Sequence, residues 1–339
     1  MAMALKRFVR SVGLLYLHFV HVALLQLMGP RCAIWFTRCM SFVWWLLTFL
    51  GVNKTLRRTL DQVLPQIRPD LRTSTVLRRY LANQHQHFVE WNTYPTARGR
   101  RFAERISQEI EGREHLDGAI RNGRGVILSL SHFGMTRMYL PALASSGYAS
   151  SLYALRAERY PRECFDFVAR AVVNKKSRAE VACGHNVIYH RRGGTFKVIA
   201  DQLRRNSIVA LAGDGVAGTK FVDVPFLNGI MSFPTGLARL AAETGAAIVC
   251  MFCVLEGPIR HRFVAHPPIS CCDSSPASIE TAVRTYVAFL EEYVRRYPWA
   301  WWIWGRIEVE RGGRDGMITR YIIKDLPTEE TRYYTPEKR

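Results

Sequence analysis

Between residues 125 and 265 short apolar runs alternate with segments of helical period, and this alternation restricts the fold more than any other feature of the chain. Val126–Leu130, Ser151–Leu155, Val187–Tyr189, Ile208–Ala212, Phe221–Val224 and Ala247–Val254 read as strands. Thr136–Ser146, Pro161–Lys175, Thr195–Arg204 and Pro234–Thr244 read as the helices between them. Strands and helices alternating at this spacing predict an α/β fold, a mixed central sheet flanked by helices. Ser275-Pro276 then opens a long helix, the serine as N-cap and the proline at the first helical position. Ile279, Val283, Val287, Leu290 and Val294 form its apolar stripe. From Thr55 to about Ile120 the pattern is helical and strongly charged.

The candidate chemistry falls at strand ends, where open α/β sheets bind ligands. Val126–Leu130 is closed by Ser131, and His132 stands where the strand stops. Gly134 lets the backbone turn sharply before the next helix. A histidine delivered there is placed for proton transfer, against the ordinary alternative of a structural histidine. Asp214, between Gly213 and Gly215, puts a carboxylate at a second strand terminus, unless it serves only to form the turn. Arg191-Arg192-Gly193-Gly194-Thr195 precedes a helix, so Arg192 and nearby amides could converge on an anion; a plain basic turn is the alternative. Gln84-His85-Gln86-His87 suggests a metal site, but histidines two apart do not share a helix face, and a polar surface is expected.

The N-terminal part is of another character. Lys6, Arg7 and Arg10 precede an apolar run from Ser11 to Met28 that ends at Gly29-Pro30. A second run, Cys39 to Val52, carries Trp44 and Trp45 and is followed by Lys54, Arg57 and Arg58. The first run is near the length of about 20 residues that spans a bilayer core; the second is too short to span unaided. Together they predict a hydrophobic helical anchor over residues 1–54, either one span with an interfacial helix or a hairpin dipping into one leaflet, with a soluble core hairpin as the alternative. Residues 55–310 form the expected α/β domain and 311–339 a charged tail. Lysine and arginine number 47 against 28 acids, a net charge of +19, which calls for an anionic partner. No nucleic-acid recognition motif is present, and the anchor points to a membrane surface instead. Cys250 and Cys253 form a C-x-x-C inside an apolar run and read as buried strand cysteines.

One ordered set of motifs carries a family resemblance. His132-Phe133-Gly134 follows a strand, and Asp214-Gly215 follows a later one. Val224-Pro225-Phe226-Leu227-Asn228-Gly229 comes next, then Pro234-Thr235-Gly236-Leu237-Ala238-Arg239-Leu240-Ala241-Ala242-Glu243-Thr244-Gly245-Ala246 and a tryptophan-rich block at residues 299–307. This order resembles the bacterial lauroyl/myristoyl acyltransferases of lipid A biosynthesis, within the lysophospholipid acyltransferase superfamily, over roughly residues 5 to 310. The resemblance implies a glycerolipid-acyltransferase-like fold and transfer of a fatty acyl chain from an acyl thioester to a hydroxyl or amine of an anionic lipid or glycolipid acceptor. The donor would be acyl carrier protein or coenzyme A, no cofactor being needed, and the domain would face the cytoplasm at the inner membrane. The family's base maps onto His132, and Arg156 maps onto a phosphate-binding position.

The family pattern places Glu or Asp five positions after the histidine, where this chain has Arg137. A cation there disfavours imidazolium rather than stabilising it. Three readings follow: Asp214, Glu158 or Glu243 supplies the missing carboxylate while Arg137 holds an anionic part of a substrate; the acceptor is one needing less base help, such as an amine; or the chain is a non-catalytic lipid- or carrier-binding relative. The expected site residues are therefore His132 and Asp214 for chemistry, with Arg137, Arg156, Glu158, Gly134 and Arg192 toward the substrates.

Overall fold

The computed structural model describes residues 2–47, 53–93, 101, 110–136, 138–154, 165–168, 170–172, 174–175, 186–189, 194–214, 218, 220–257, 260–312 and 318–323. It opens with α1 (Ala2–Leu15), a π-helical turn (Tyr16–His21), α2 (Val22–Met28), α3 (Pro30–Leu47), α4 (Lys54–Ile67) and α5 (Thr73–Thr93). Then come β1 (Ile110–Glu111), α6 (Arg113–Arg121), β2 (Val126–Leu130), α7 (Tyr139–Ser145), β3 (Ser150–Ala154), β4 (Asn186–Tyr189), α8 (Thr195–Arg204) and β5 (Ile208–Ala212). The chain continues through β6 (Phe221–Phe226), β7 (Gly229–Pro234), α9 (Gly236–Thr244), β8 (Ala247–Leu255), β9 (His261–Ala265), α10 (Pro276–Arg296), β10 (Ile307–Gly312) and β11 (Ile318–Ile323).

The main sheet has seven strands in the order β1-β9-β8-β2-β5-β3-β4. β8, β2, β5, β3 and β4 are mutually parallel, while β9 runs against β8. All five residues of β2 are buried, because helices cover both faces of a parallel sheet. Alternation survives in direction rather than in polarity. Ile127, Val209, Leu211, Ile248, Cys250 and Phe252 pack with residues of α8, α9 and α10 on one face. Val126, Leu128, Leu130, Ala210, Val249, Met251 and Cys253 pack with α6 and α7 on the other. Cys250 and Cys253 are buried strand residues, as their apolar context predicts, and burial pushes the Cys250 thiol up to about 12. The N-cap of α10 is also as expected, with Ser275 Oγ accepting from Ser278 N at 3.2 Å.

The sequence pattern did not reveal a second sheet, β10-β11-β7-β6. β6 and β7 form a hairpin whose turn residues Leu227 and Asn228 both have positive φ, at 51° and 64°, the type I′ geometry that matches strand twist. β11 lies in the stretch read as a charged tail, yet it pairs with β7, and the boundary expected at residue 310 falls inside β10.

α5 is the shared wall between the N-terminal helices and the sheet domain. On one side Ser74 O accepts from Trp45 Nε1 at 3.2 Å, the Phe88 ring lies 5.7 Å from His18, and Asn92 O accepts from Gln26 Nε2 at 2.8 Å. On the other side Tyr80 donates to Trp302 O at 3.1 Å, the His87 ring meets the Trp302 ring edge-on at 4.1 Å, and Glu90 Oε2 lies 3.0 Å from His261 Nε2. The expectation of a polar surface at residues 84–87 is corrected: Gln86 and His87 are buried and His85 half-buried. The two histidines do take different faces, and burial, with the His21 imidazole nearby, lowers His85 to about 4. The outward stripe of the N-terminal helices is apolar, with Phe8, Val12, Tyr16, Val20, Leu24 and Leu27, then Trp35, Phe42 and Leu46, all exposed. Their inward stripe holds Ser11, His18, Thr37 and Ser41. Among the described residues one stretch, Ser11–Met28, is long and apolar enough to cross a membrane.

Glu90 and His261 are buried, so removing one partner strands the other away from water. Glu90→Ala is expected to lower the unfolding free energy in urea by about 3–5 kcal/mol. Glu243→Ala, which breaks a pair with Arg204 exposed on both sides, changes it by less than about 1 kcal/mol.

Candidate active site

β2 and β5 are neighbours in parallel register, with Leu130 opposite Ala212. Two further residues along each strand bring His132 and Asp214 side by side at the carboxyl edge. Gly213 N donates to Leu130 O at 2.7 Å and carries the ladder one step beyond the strands. The space there is tight: a Cβ on Gly213 would lie 2.7 Å from Ser129 Oγ and 2.9 Å from Leu237 Cδ1.

The Asp214 side chain is wholly buried, while 33% of the His132 side chain remains exposed. The carboxylate accepts the His132 backbone N–H at 2.9 and 2.8 Å, and its Oδ1 lies 2.9 Å from His132 Nδ1. Oδ2 also accepts the indole N–H of Trp301 at 2.9 Å. These contacts satisfy a buried charge that would otherwise be costly. They also leave His132 Nε2 without a protein partner among the described residues. Tyr286 braces the turn, its hydroxyl donating to Gly213 O at 3.0 Å and Pro234 O at 3.1 Å. Burial, then the neighbouring Asp214 charge, pushes the Tyr286 phenol well above its ordinary range, so it stays a donor.

The histidine loop is held from its other side by residues 300–302. Gly134 N donates to Ala300 O at 2.8 Å, Trp302 N donates to His132 O at 2.8 Å, and Phe133 bridges Trp301. Gly134 has φ +62°, and a Cβ there would come 1.8 Å from Cys253 O. The glycine is required by backbone shape and close approach.

Of the residues singled out in the sequence, His132, Gly134 and Asp214 come together. Glu243 does not join them; it lies on α9 and pairs with Arg204 at 3.4 Å. Arg137, Arg156, Glu158 and Arg192 lie outside the described residues. Trp301 and Tyr286 were not foreseen individually. The cluster of indoles at 299–307 signalled that something was built there, but nothing in it marked one indole as a partner of Asp214.

The architecture is a mixed α/β sheet flanked by helices, with a one-third-exposed histidine on a buried aspartate at its carboxyl edge and apolar helices at the N-terminal side. The bacterial lipid A biosynthesis acyltransferase family model matches residues 6–306, and the chain belongs to that family. It is 28% identical over 194 residues to a phosphatidylinositol mannoside acyltransferase of Mycobacterium tuberculosis (strain ATCC 25618 / H37Rv), covering 56% of this chain and 57% of that protein. A protein of the same description from Mycolicibacterium smegmatis (strain ATCC 700084 / mc(2)155) is 28% identical over 209 residues, 61% of this chain and 64% of the relative. The matched stretch thus spans less than two thirds of the length of these relatives.

Gly134→Ala forces a side chain into both a left-handed backbone and the Cys253 carbonyl. It is expected to cost more than about 2 kcal/mol in chemical unfolding. Gly147→Ala, which shares a positive φ but has open space around its Cβ, costs less and serves as the comparison.

Proposed function

We propose that the protein is a membrane-associated acyltransferase that moves a fatty acyl chain from an acyl thioester to a hydroxyl or amine of a lipid acceptor. The observation that carries this reading is the 2.9 Å contact between His132 Nδ1 and Asp214 Oδ1, with the ring one-third exposed at a sheet edge. Family membership supports the class of reaction, and the likeness to phosphatidylinositol mannoside acyltransferases favours a glycolipid acceptor. In this mechanism the aspartate orients the imidazole with its proton on Nδ1, leaving Nε2 as the base. Nε2 takes the proton from the acceptor as its oxygen or nitrogen bonds to the thioester carbonyl carbon. The resulting imidazolium is stabilised by the Asp214 charge. Collapse of the tetrahedral adduct breaks the carbon–sulfur bond, and the proton returns to the departing thiolate. Asp214 supplies the carboxylate that the position of Arg137 lacks.

The N-terminal helices hold the protein on the bilayer as a hairpin in one leaflet. α3 is bound along α5 from Trp45 at Ser74 to Ile34 beside Val89, about 22 Å of that helix at 1.5 Å per residue. α2 is bound at the other end of α5 through Gln26. The Ser11–Met28 stretch is tied to the domain along its length, Ser11 Oγ accepting Phe165 N at 2.9 Å, His18 lying beside Phe88 and Gln26 at Asn92. It therefore does not cross a hydrocarbon core of about 30 Å without drawing polar parts of the domain in with it. The domain would then lie on the cytoplasmic face, where the net charge of +19 suits anionic headgroups.

Purified protein in lipid vesicles, given acyl-coenzyme A or acylated carrier protein and a membrane lipid extract, tests the reaction by mass spectrometry of the lipids. The wild type is expected to form acylated product, and His132→Ala to lose about 10²- to 10⁴-fold in rate. Undiminished product from the variant removes His132 from the mechanism; no product with either donor favours a non-catalytic binder. For the anchor, single cysteines at positions 2 and 28 in right-side-out and inverted vesicles should both label from the same side. Labelling from opposite sides establishes a span.

A further inference from the structure

We propose that Trp301 is a positioning residue for the His132–Asp214 pair, an inference that rests on the reading of His132 as the base. A carboxylate accepts through both oxygens and can turn about its own axis. In this site Oδ1 faces the imidazole, the His132 backbone N–H lies between the two oxygens, and Oδ2 also accepts the Trp301 indole N–H at 2.9 Å. The amide belongs to the histidine loop itself, so the indole is the donor from outside that loop that holds the plane of the carboxylate and presents Oδ1 to Nδ1 in one orientation.

The donor is itself immobilised. Trp301 has no exposed surface, and its ring is held edge-on by Phe226 at 5.4 Å and Trp304 at 4.9 Å. Its backbone belongs to the segment that also holds the histidine loop, through Gly134 N to Ala300 O and Trp302 N to His132 O. One short segment therefore sets both the loop that carries the imidazole and the carboxylate beneath it. Trp304 has the opposite assignment. It is equally buried, but its indole N–H goes to Pro298 O at 2.6 Å, away from the pair. Packing alone would make the two indoles equivalent. The hydrogen bonds make them different.

The test separates the N–H from the ring. Trp301→benzothienylalanine keeps the bicyclic shape and replaces only the N–H by sulfur; Trp301→Phe and Trp304→Phe accompany it. With a palmitoyl-coenzyme A donor and a total lipid extract as acceptor, both Trp301 variants are expected to lose about tenfold in kcat, part of the general-base contribution. KM for the donor should stay within about twofold, and the isostere should keep the wild-type unfolding temperature. In an Asp214→Ala background the isostere should cause no further loss.

A second readout does not depend on turnover. In protein labelled with 15N on its indoles, the Trp301 N–H signal should shift with pH at the same midpoint as the His132 ring, while that of Trp304 stays fixed. Wild-type kcat in the isostere, a loss of equal size without Asp214, or a Trp301 signal indifferent to the state of His132 overturns the proposal. Activity surviving His132→Ala would instead defeat the reading of the base, and the indole signals would still report on Trp301.

Discussion

The register of two adjacent parallel strands is the constraint on which the candidate site depends. Leu130 opposite Ala212 places the second residue past each strand end at neighbouring points of the sheet edge, and those residues are a histidine and an aspartate. A slip by one residue would reverse the faces of β5 and take Asp214 away from His132. Register is fixed here because β2 is buried on both faces and is paired on both sides, to β5 and to β8. Apolar packing of the sheet centre thus supplies the precision of a polar contact at its edge.

That polar contact is stable because it is saturated. A buried carboxylate without donors would be expensive, and Asp214 has the His132 amide, the imidazole and an indole. The donors come from β2's end and from the segment before β10, so the carboxylate joins parts of the chain more than eighty residues apart. Tyr286 on α10 adds a brace from the helix layer. On the far side of this assembly α5 touches Trp302 with Tyr80 and His87 while its opposite face receives α2 and α3. The N-terminal helices and the segment that holds the histidine loop are therefore two contacts of the same helix.

Much of this was legible in the sequence wherever one period dominates. β2, β5 and α8 have the bounds that their runs suggest, and the α10 N-cap follows from Ser275-Pro276. Asp214 could be chosen because strand-terminal position is readable from a run followed by a turn. What was not legible depends on pairing at long range. β7, β9, β10 and β11 have little pattern of their own; they exist because each finds a partner edge. Phe226-Leu227-Asn228-Gly229, where the segment most specific to the family resemblance (residues 226–246) begins, proved to be a hairpin turn of type I′, a matter of backbone shape. His87 looked like surface because its neighbours Gln84, His85 and Gln86 are polar, whereas tertiary packing against Trp302 buries it. The indole of Trp301 could not be told from seven others by composition.

The central claim is that Asp214 holds the His132 imidazole with its proton on Nδ1 and its Nε2 turned outward as the base. The most direct measurement is the 15N spectrum of the His132 ring in protein labelled at histidine and reconstituted in lipid, at a pH where the ring is neutral. The account predicts a protonated Nδ1 and a bare Nε2, with the assignment lost in Asp214→Ala. A neutral ring carrying its proton on Nε2 would contradict it.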